Sequence, residues 1–227
     1  SRKWDYVAHH KYNINRYAKV SEFLEKKNVY LFRMGKGAEE NCYIKNKMFV
    51  DYANSNFRSD LMDIYLASKC MFGMGGGTGS KSLALVFRKP FLHLIADIHE
   101  AITYKHDALI LTKHYFSKKL KRNLKLREIL NYSYGSLSHL DQLVNEKIEM
   151  RECSDDELVQ ATSEIYERVE GSWKDSLEIK KLQKIFKNHR WEKLTFRHNG
   201  SLVHPKINAN FSSHFLLKNK NWLNGDD

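Results

Sequence analysis

The segment Met71–Ser82, MFGMGGGTGSKS, places glycines at 73, 75, 76, 77 and 79 beside the hydroxyls of Thr78 and Ser80 and the ammonium of Lys81. Such residues hold phosphate when a turn free of side chains lets its oxygens approach backbone N–H groups at the start of a helix. Spacing excludes two standard arrangements. A Walker A loop needs lysine directly after its last glycine, whereas Ser80 separates Gly79 from Lys81. A dinucleotide-binding turn needs glycines at relative positions one, three and six, and these glycines contain no such trio. Generic diphosphate chemistry remains: Gly75, Gly76, Gly77 and Gly79 for close approach, and Thr78 and Ser80 as hydroxyl donors. The same glycines also suit a tight strand-to-helix turn with no ligand, and the loop alone leaves both readings open. A second strand end, Tyr30–Gly35 (YLFRMG), carries Arg33 and is followed by Lys36.

The elements that must position these groups follow from periodicity. After Asn13 or Asn15 as N-cap, Tyr17, Val20 and Leu24 share one stripe of an amphipathic helix. VYLFRM and MFVDYA read as strands, and SDLMDIYLASK as a helix with Leu61, Tyr65 and Ala67 or Ser68 turned inward. CMFGM is a buried strand, the glycine turn opens a helix at SKSLALVFR that Pro90 ends, and FLHLIA is another strand. Alternation over residues 13–96 predicts βαβ crossovers and a parallel sheet with helices on both faces. After residue 97 the alternation fades. EILNYSYGSLSHL is loop-like. Ser154 and Glu157 then form a capping box before a stripe of Leu158, Thr162, Ile165 and Val169, stopped by Gly171. A further helix spans DSLEIKKLQKIFKNH, and the aromatic tail INANFSSHFLLKNKNWL is expected to dock on the body. The expectation is one α/β domain, with residues 1–150 holding the ligand and 151–227 supplying C-terminal helices and a docking tail.

Composition narrows the function classes. A chain of 227 residues that is 42% hydrophobic can bury a sizeable core. Its apolar runs are far shorter than the roughly 18–20 residues of a membrane span. The opening SRKWDYVAHHKYN has neither an initiator Met nor an apolar leader, so the chain reads as part of a longer protein. Cys42, Cys70 and Cys153 are odd in number and widely spaced, which favours a reducing cytoplasm over a disulfide framework or a zinc site. Asn131, Asn199 and Asn210 begin Asn-x-Ser triplets that an Asn-rich chain produces by chance. The net charge of +11 favours an anionic partner, either nucleic acid, an acidic membrane surface or a phosphorylated substrate. The lysines of EKK, SKKLKR and EIKKLQK fall mostly where amphipathic helices show their wet faces.

Several segments, taken in order, carry a family resemblance. They are Phe32-Arg33-Met34-Gly35, Asp51-Tyr52-Ala53-Asn54-Ser55, Ser59-Asp60-Leu61-Met62-Asp63-Ile64-Tyr65-Leu66, Gly73 to Gly79, and Phe87-Arg88-Lys89-Pro90. LKLREIL and the S-x-x-E helix up to Gly171 complete the layout. From about Tyr17 to Gly171 the chain resembles bacterial glycosyltransferases of surface-polysaccharide loci, of GT-B type. It departs from them at Tyr12-Asn13, where the family has Arg-Asn, and at its start, where the family has an acceptor-side domain ahead of Ser1.

The resemblance implies a GT-B, Rossmann-like parallel sheet with helices on both faces and a helical C-terminal portion. A nucleotide-sugar would sit beyond the carboxyl ends of its strands, with Gly35 and the Gly75–Gly79 turn on one rim. Arg33 or Lys36 would neutralise the diphosphate, Gly77, Thr78, Gly79 and Ser80 would hold its oxygens, and Asp63 would bind backbone or ribose. No divalent cation or other cofactor is then required. His9 and His10 would lie near the domain junction as acceptor base or phosphate ligand; the alternative is two surface histidines. For Arg33 the alternative is a structural ion pair with Asp51 or Asp63. Asp51, Asp60 and Asp63 are set aside as a metal cluster, and His204-Pro205 lies too near the C-terminus to match the His-Pro pair of some sialyltransferases. The expected activity is sugar transfer from a nucleotide-sugar to a surface glycan or lipid-linked acceptor, by a cytoplasmic protein for which peripheral membrane contact stays open. Two alternatives remain: a non-catalytic nucleotide- or phosphate-binding domain of the same fold, and a basic nucleic-acid-binding module. The last has no recognisable motif and leaves the glycine loop without a role, so nucleic acid is not expected as a partner.

Overall fold

A computed structural model describes residues 13–36, 38, 40–76, 79–96, 98, 108–131, 143–189, 197–198, 201–202 and 207–223. In chain order the elements are α1 (Ala18–Lys26), β1 (Leu31–Phe32), β2 (Phe49–Val50), α2 (Asp60–Lys69), β3 (Gly73–Gly75) and α3 (Gly79–Val86). Next come β4 (Phe91–Ile95), β5 (Ala108–Thr112), β6 (His114–Ser117), β7 (Arg122–Asn123), α4 (Leu126–Asn131) and β8 (Ile148–Arg151). The remainder are α5 (Asp155–Glu170), α6 (Leu177–Lys187), β9 (Arg197–His198), β10 (Ser201–Leu202), β11 (Asn210–Phe211), α7 (Ser213–Lys218) and α8 (Lys220–Leu223). The chain is α/β with parallel sheets, an arrangement compatible with a Rossmann-like fold. It divides into two compact units, one within Lys11–Leu92 and Ser154–Trp173, the other within His93–Cys153 and Lys174–Asp227.

In the first unit, Asn13 caps a 3-10 turn, its side chain accepting from Asn15 N, and this turn runs into α1. Tyr17, Val20 and Leu24 are buried as the periodicity predicts, at about 1.5–3 kcal/mol for each fully buried aliphatic side chain. Helix α1 packs on α5, with Phe23 edge-on to Tyr166 and Arg16 3.4 Å from Asp155. The capping box of α5 is present in full: Ser154 Oγ accepts from Glu157 N at 3.2 Å, and the Glu157 carboxylate accepts from Ser154 N at 2.7 Å. Gly171 ends that helix at φ +77°, in the left-handed region that favours glycine. Strands β1 and β2 pair in parallel, Leu31 opposite Phe49 and Phe32 opposite Val50.

In the second unit, β5 is buried throughout and apolar but for Thr112, as a strand of a covered parallel sheet must be, and Phe211 of β11 is buried beside it. Strand β11 pairs with β5, Asn210 opposite Leu109 and Phe211 opposite Ile110. Gln183 of α6 satisfies both backbone groups of Phe211, donating to its carbonyl at 2.6 Å and accepting from its N–H at 3.1 Å. The aromatic tail docks as expected, with Phe211 stacking among Phe186, Phe215 and Trp222 at centroid distances of 4.9–5.1 Å. Strands β7, β6 and β8 form a separate antiparallel sheet.

Three expectations are corrected. Strands β1 and β2 form a two-stranded sheet of their own, while the larger sheet has the order β11-β5-β4-β3. Gly35 and the glycine turn therefore end strands of different sheets and share no rim of one sheet. Among the described residues after 97 are seven strands and the helix α4, where fading alternation predicted loop and helix. Helix α2 has the predicted bounds and the opposite orientation: Leu61 and Tyr65 are 77% and 54% exposed, and only Ala67 of the expected inward residues is buried.

Candidate functional site

The glycine segment has the expected local form. Strand β3 ends at Gly75, and α3 begins at Gly79. Two of the glycines have reasons that need no ligand. A Cβ on Gly73 would lie 2.5 Å from the Phe91 ring, so neighbouring β4 admits no side chain there. Gly75 adopts φ +149° with open space around it, a backbone conformation that disfavours any other residue. Gly76 is buried. Gly77 and Thr78 lie outside the described residues, and Gly79 and Ser80 contribute the first backbone N–H groups of α3.

At the other strand end, backbone hydrogen bonds lock two motifs together. Arg33 N donates to Val50 O and Ala53 N to Arg33 O, both at 2.9 Å, which sets FRMG beside DYANS. Arg33, with 8% of its side chain exposed, donates from Nη1 to Asp51 Oδ2 at 3.3 Å and to the Glu40 carbonyl at 3.0 Å. Asn54 donates to the same Asp51 oxygen at 3.0 Å, while Asp51 Oδ1 is buried without a hydrogen-bond partner. Beside this pair, Arg58 holds two groups at once: Nε donates to Gly35 O at 2.9 Å and Nη2 to Asp63 Oδ2 at 2.5 Å. Tyr52 Oη, fully buried, lies 2.8 Å from Asp63 Oδ1 and accepts from Ser59 N at 3.2 Å. Burial raises the Tyr52 pKa above its ordinary value, and the hydrogen bond to the Asp63 carboxylate raises it further, so Tyr52 is a neutral phenol at physiological pH.

The structure thus places Arg33 in one polar cluster with Asp51, and Gly35 and Asp63 in a second, held by Arg58 and Tyr52. Arg33 is engaged by Asp51, and Asp63 by Arg58 and Tyr52. Lys36 is exposed immediately after Gly35. His9 and His10 lie outside the described residues, as does His204-Pro205. Sequence reasoning missed Arg58 and the Tyr52 hydroxyl as partners of Asp63. The available signal was an arginine directly before the N-cap Ser59 and five residues ahead of Asp63, a spacing that lets it fold back over the first turn of α2. Among the described residues, no group of three or more His, Cys, Asp and Glu side chains could hold a metal ion, and no helix is long and apolar enough to cross a membrane. Comparison with protein-family models, curated proteins and solved structures gives no match.

Proposed function

We propose that the chain is the donor-binding part of a glycosyltransferase that moves a sugar from a nucleotide-sugar to a surface glycan or lipid-linked acceptor. The observation that carries this reading is the β3, glycine turn, α3 unit: a strand of a parallel sheet whose carboxyl end runs through small residues into a helix N-terminus. The ordered FRMG, DYANS and SDLMD motifs support it. In the transfer, the bond from the anomeric carbon to the diphosphate breaks, the acceptor oxygen takes that carbon, and the acceptor proton passes to His9 or His10. The N–H groups of the glycine turn stabilise the departing nucleoside diphosphate, so the reading requires no divalent cation.

Isothermal calorimetry and thermal shift against UDP, GDP, dTDP and CMP test the site. One nucleotide is expected to bind and to raise the melting temperature, with about 2.7 kcal/mol of stabilisation at a hundredfold excess over Kd. Gly77→Asp is expected to abolish that binding without unfolding the chain. Binding of none of the four, or undiminished binding by a folded Gly77→Asp variant, refutes the assignment. Residues 1–227 alone are expected to bind donor and transfer little sugar.

A second reading, a nucleotide-binding domain without catalysis, is favoured by one observation: Arg33 is already paired with Asp51. Arg33→Gln tests that pairing. Lowered donor affinity with an unchanged melting temperature marks a donor-binding arginine, and a lowered melting temperature with unchanged donor affinity marks a structural one.

A further inference from the structure

Helix α2 presents the wrong face for a helix bordering water. Its carboxylate Asp63 is held inward by Arg58 and Tyr52, while Leu61, Ile64 and Tyr65 are 77%, 45% and 54% exposed. With the partly exposed Ser68, these residues occupy positions i, i+3, i+4 and i+7, the seam along which one helix packs lengthwise on another. Helix α3, which packs on α2, ends in a further exposed set, Leu85 and Val86, which Phe87 continues. Singly exposed apolar side chains are ordinary; a seam with a second apolar element beside it marks an interaction surface.

The symmetry of the seam identifies its occupant. In two identical antiparallel helices related by a two-fold axis, the numbers of facing residues have a constant sum. An axis between Ile64 and Tyr65 sets Ile64 against Tyr65, Leu61 against Ser68, and Asp60 against Lys69 of the other copy. One register therefore closes the whole seam on itself and pairs both charged ends of the helix, each contact occurring twice. Asp60 has 92% of its side chain exposed and lies 3.8 Å from an Arg58 that Asp63 already engages, and Lys69 is exposed at the opposite end. A parallel pairing would instead set like charges together at both ends. We propose that a second copy of this chain docks here, α2 against α2 in antiparallel register, forming a two-fold dimer. Two helices of this length bury too little alone, so Leu85, Val86 and Phe87 must contribute for the contact to reach the roughly 1,000 Å² of a specific interface. This inference is independent of the glycosyltransferase reading.

Sedimentation velocity across a concentration series tests it. The chain is expected to pass from monomer to dimer, and Ile64→Asp to remain monomeric with unchanged circular dichroism. Asp60→Lys sets lysine against lysine, and Lys69→Asp sets aspartate against aspartate, so each is expected to weaken self-association about tenfold or more. Mixing these two variants is expected to restore a heterodimer, because both facing pairs become opposite in charge; that rescue also requires each variant to be folded. A chain monomeric throughout the series, a dimer indifferent to all three substitutions, or a mixture that forms no heterodimer overturns the proposal.

Discussion

Helices α1 and α2 lie in the same unit, are nine and ten residues long, and differ in whether their apolar stripe is covered. Helix α1 turns Val20 and Leu24 inward and leaves Lys19 and Glu22 in water. Helix α2 turns Asp63 inward and leaves Leu61, Ile64 and Tyr65 out. The difference lies in what each helix meets. Helix α1 has α5 to pack against. Helix α2 begins beside Arg58 and Tyr52, whose buried donors need a carboxylate. A half-buried arginine left unpaired costs more than an exposed leucine, so the ion pair decides which face points in. An amphipathic pattern specifies a stripe, and the neighbouring polar groups decide whether that stripe is the buried one.

The comparison breaks most sharply at its apolar positions. Leu24→Ala in α1 is expected to cost about 2–5 kcal/mol in chemical denaturation, whereas Leu61→Ala in α2, measured at a concentration where the chain is monomeric, is expected to cost less than about 0.5 kcal/mol. Equal costs would show that α2 buries its apolar stripe after all.

The polar side of the comparison comes next. Asp63→Ala leaves the Arg58 guanidinium and the Tyr52 hydroxyl without their shared acceptor, with an expected loss of about 2 kcal/mol. Arg58→Lys cannot serve both Gly35 O and Asp63, so it is expected to recover only part of the wild-type melting temperature. A smaller effect sharpens the α1 side: Ser154→Ala removes half of the capping box of α5, on which α1 packs, at a cost of about 1 kcal/mol.

The smallest expected effects are pH slopes from the other unit, where neither helix contributes. Burial lowers the His189 pKa below its ordinary value of 6.5, outweighing the hydrogen bond to the Leu223 carbonyl. The folded state therefore favours the neutral ring. Its stability is present in full above pH 6.5 and declines as pH falls below that value toward the lowered folded pKa. Glu128 is lowered from 4.5, chiefly by the bidentate Arg122, so its contribution is present above that value and is lost as pH falls through its folded pKa. Melting temperatures between pH 7 and pH 3 are expected to decline in these two steps, with His189→Gln removing the upper and Glu128→Gln the lower.

The capping box of Ser154 and Glu157, the stop at Gly171, the α1 stripe and the glycine turn between β3 and α3 were all legible in the residues. Each rests on interactions spanning a few positions, where a hydroxyl, a carboxylate or a missing Cβ acts on its own neighbourhood. The sheets after residue 97 were not. Strands β7 and β11 are two residues long and exist only because β6 and β5 lie alongside them. Of the candidate site, Arg33, Gly35 and Asp63 were readable as chemically able residues and the Arg33–Asp51 pair as an alternative, while the closure of Asp63 by Tyr52 and Arg58 was not, because hydrogen-bond partners leave no periodic trace.

By itself, then, the sequence determined where α1, α2, α5 and α6 run, which stripes are apolar and where the backbone turns without side chains. The tertiary structure alone decided that Arg16 meets Asp155 across 139 residues, that Asn210 and Phe211 lie beside Leu109 and Ile110, and that α2 shows its apolar face outward. Caps and turns lower the energy of a short segment whatever surrounds it. Strand partners and the choice of buried face are set by competition among distant groups for burial and hydrogen bonds, and that competition is settled only when the chain has folded.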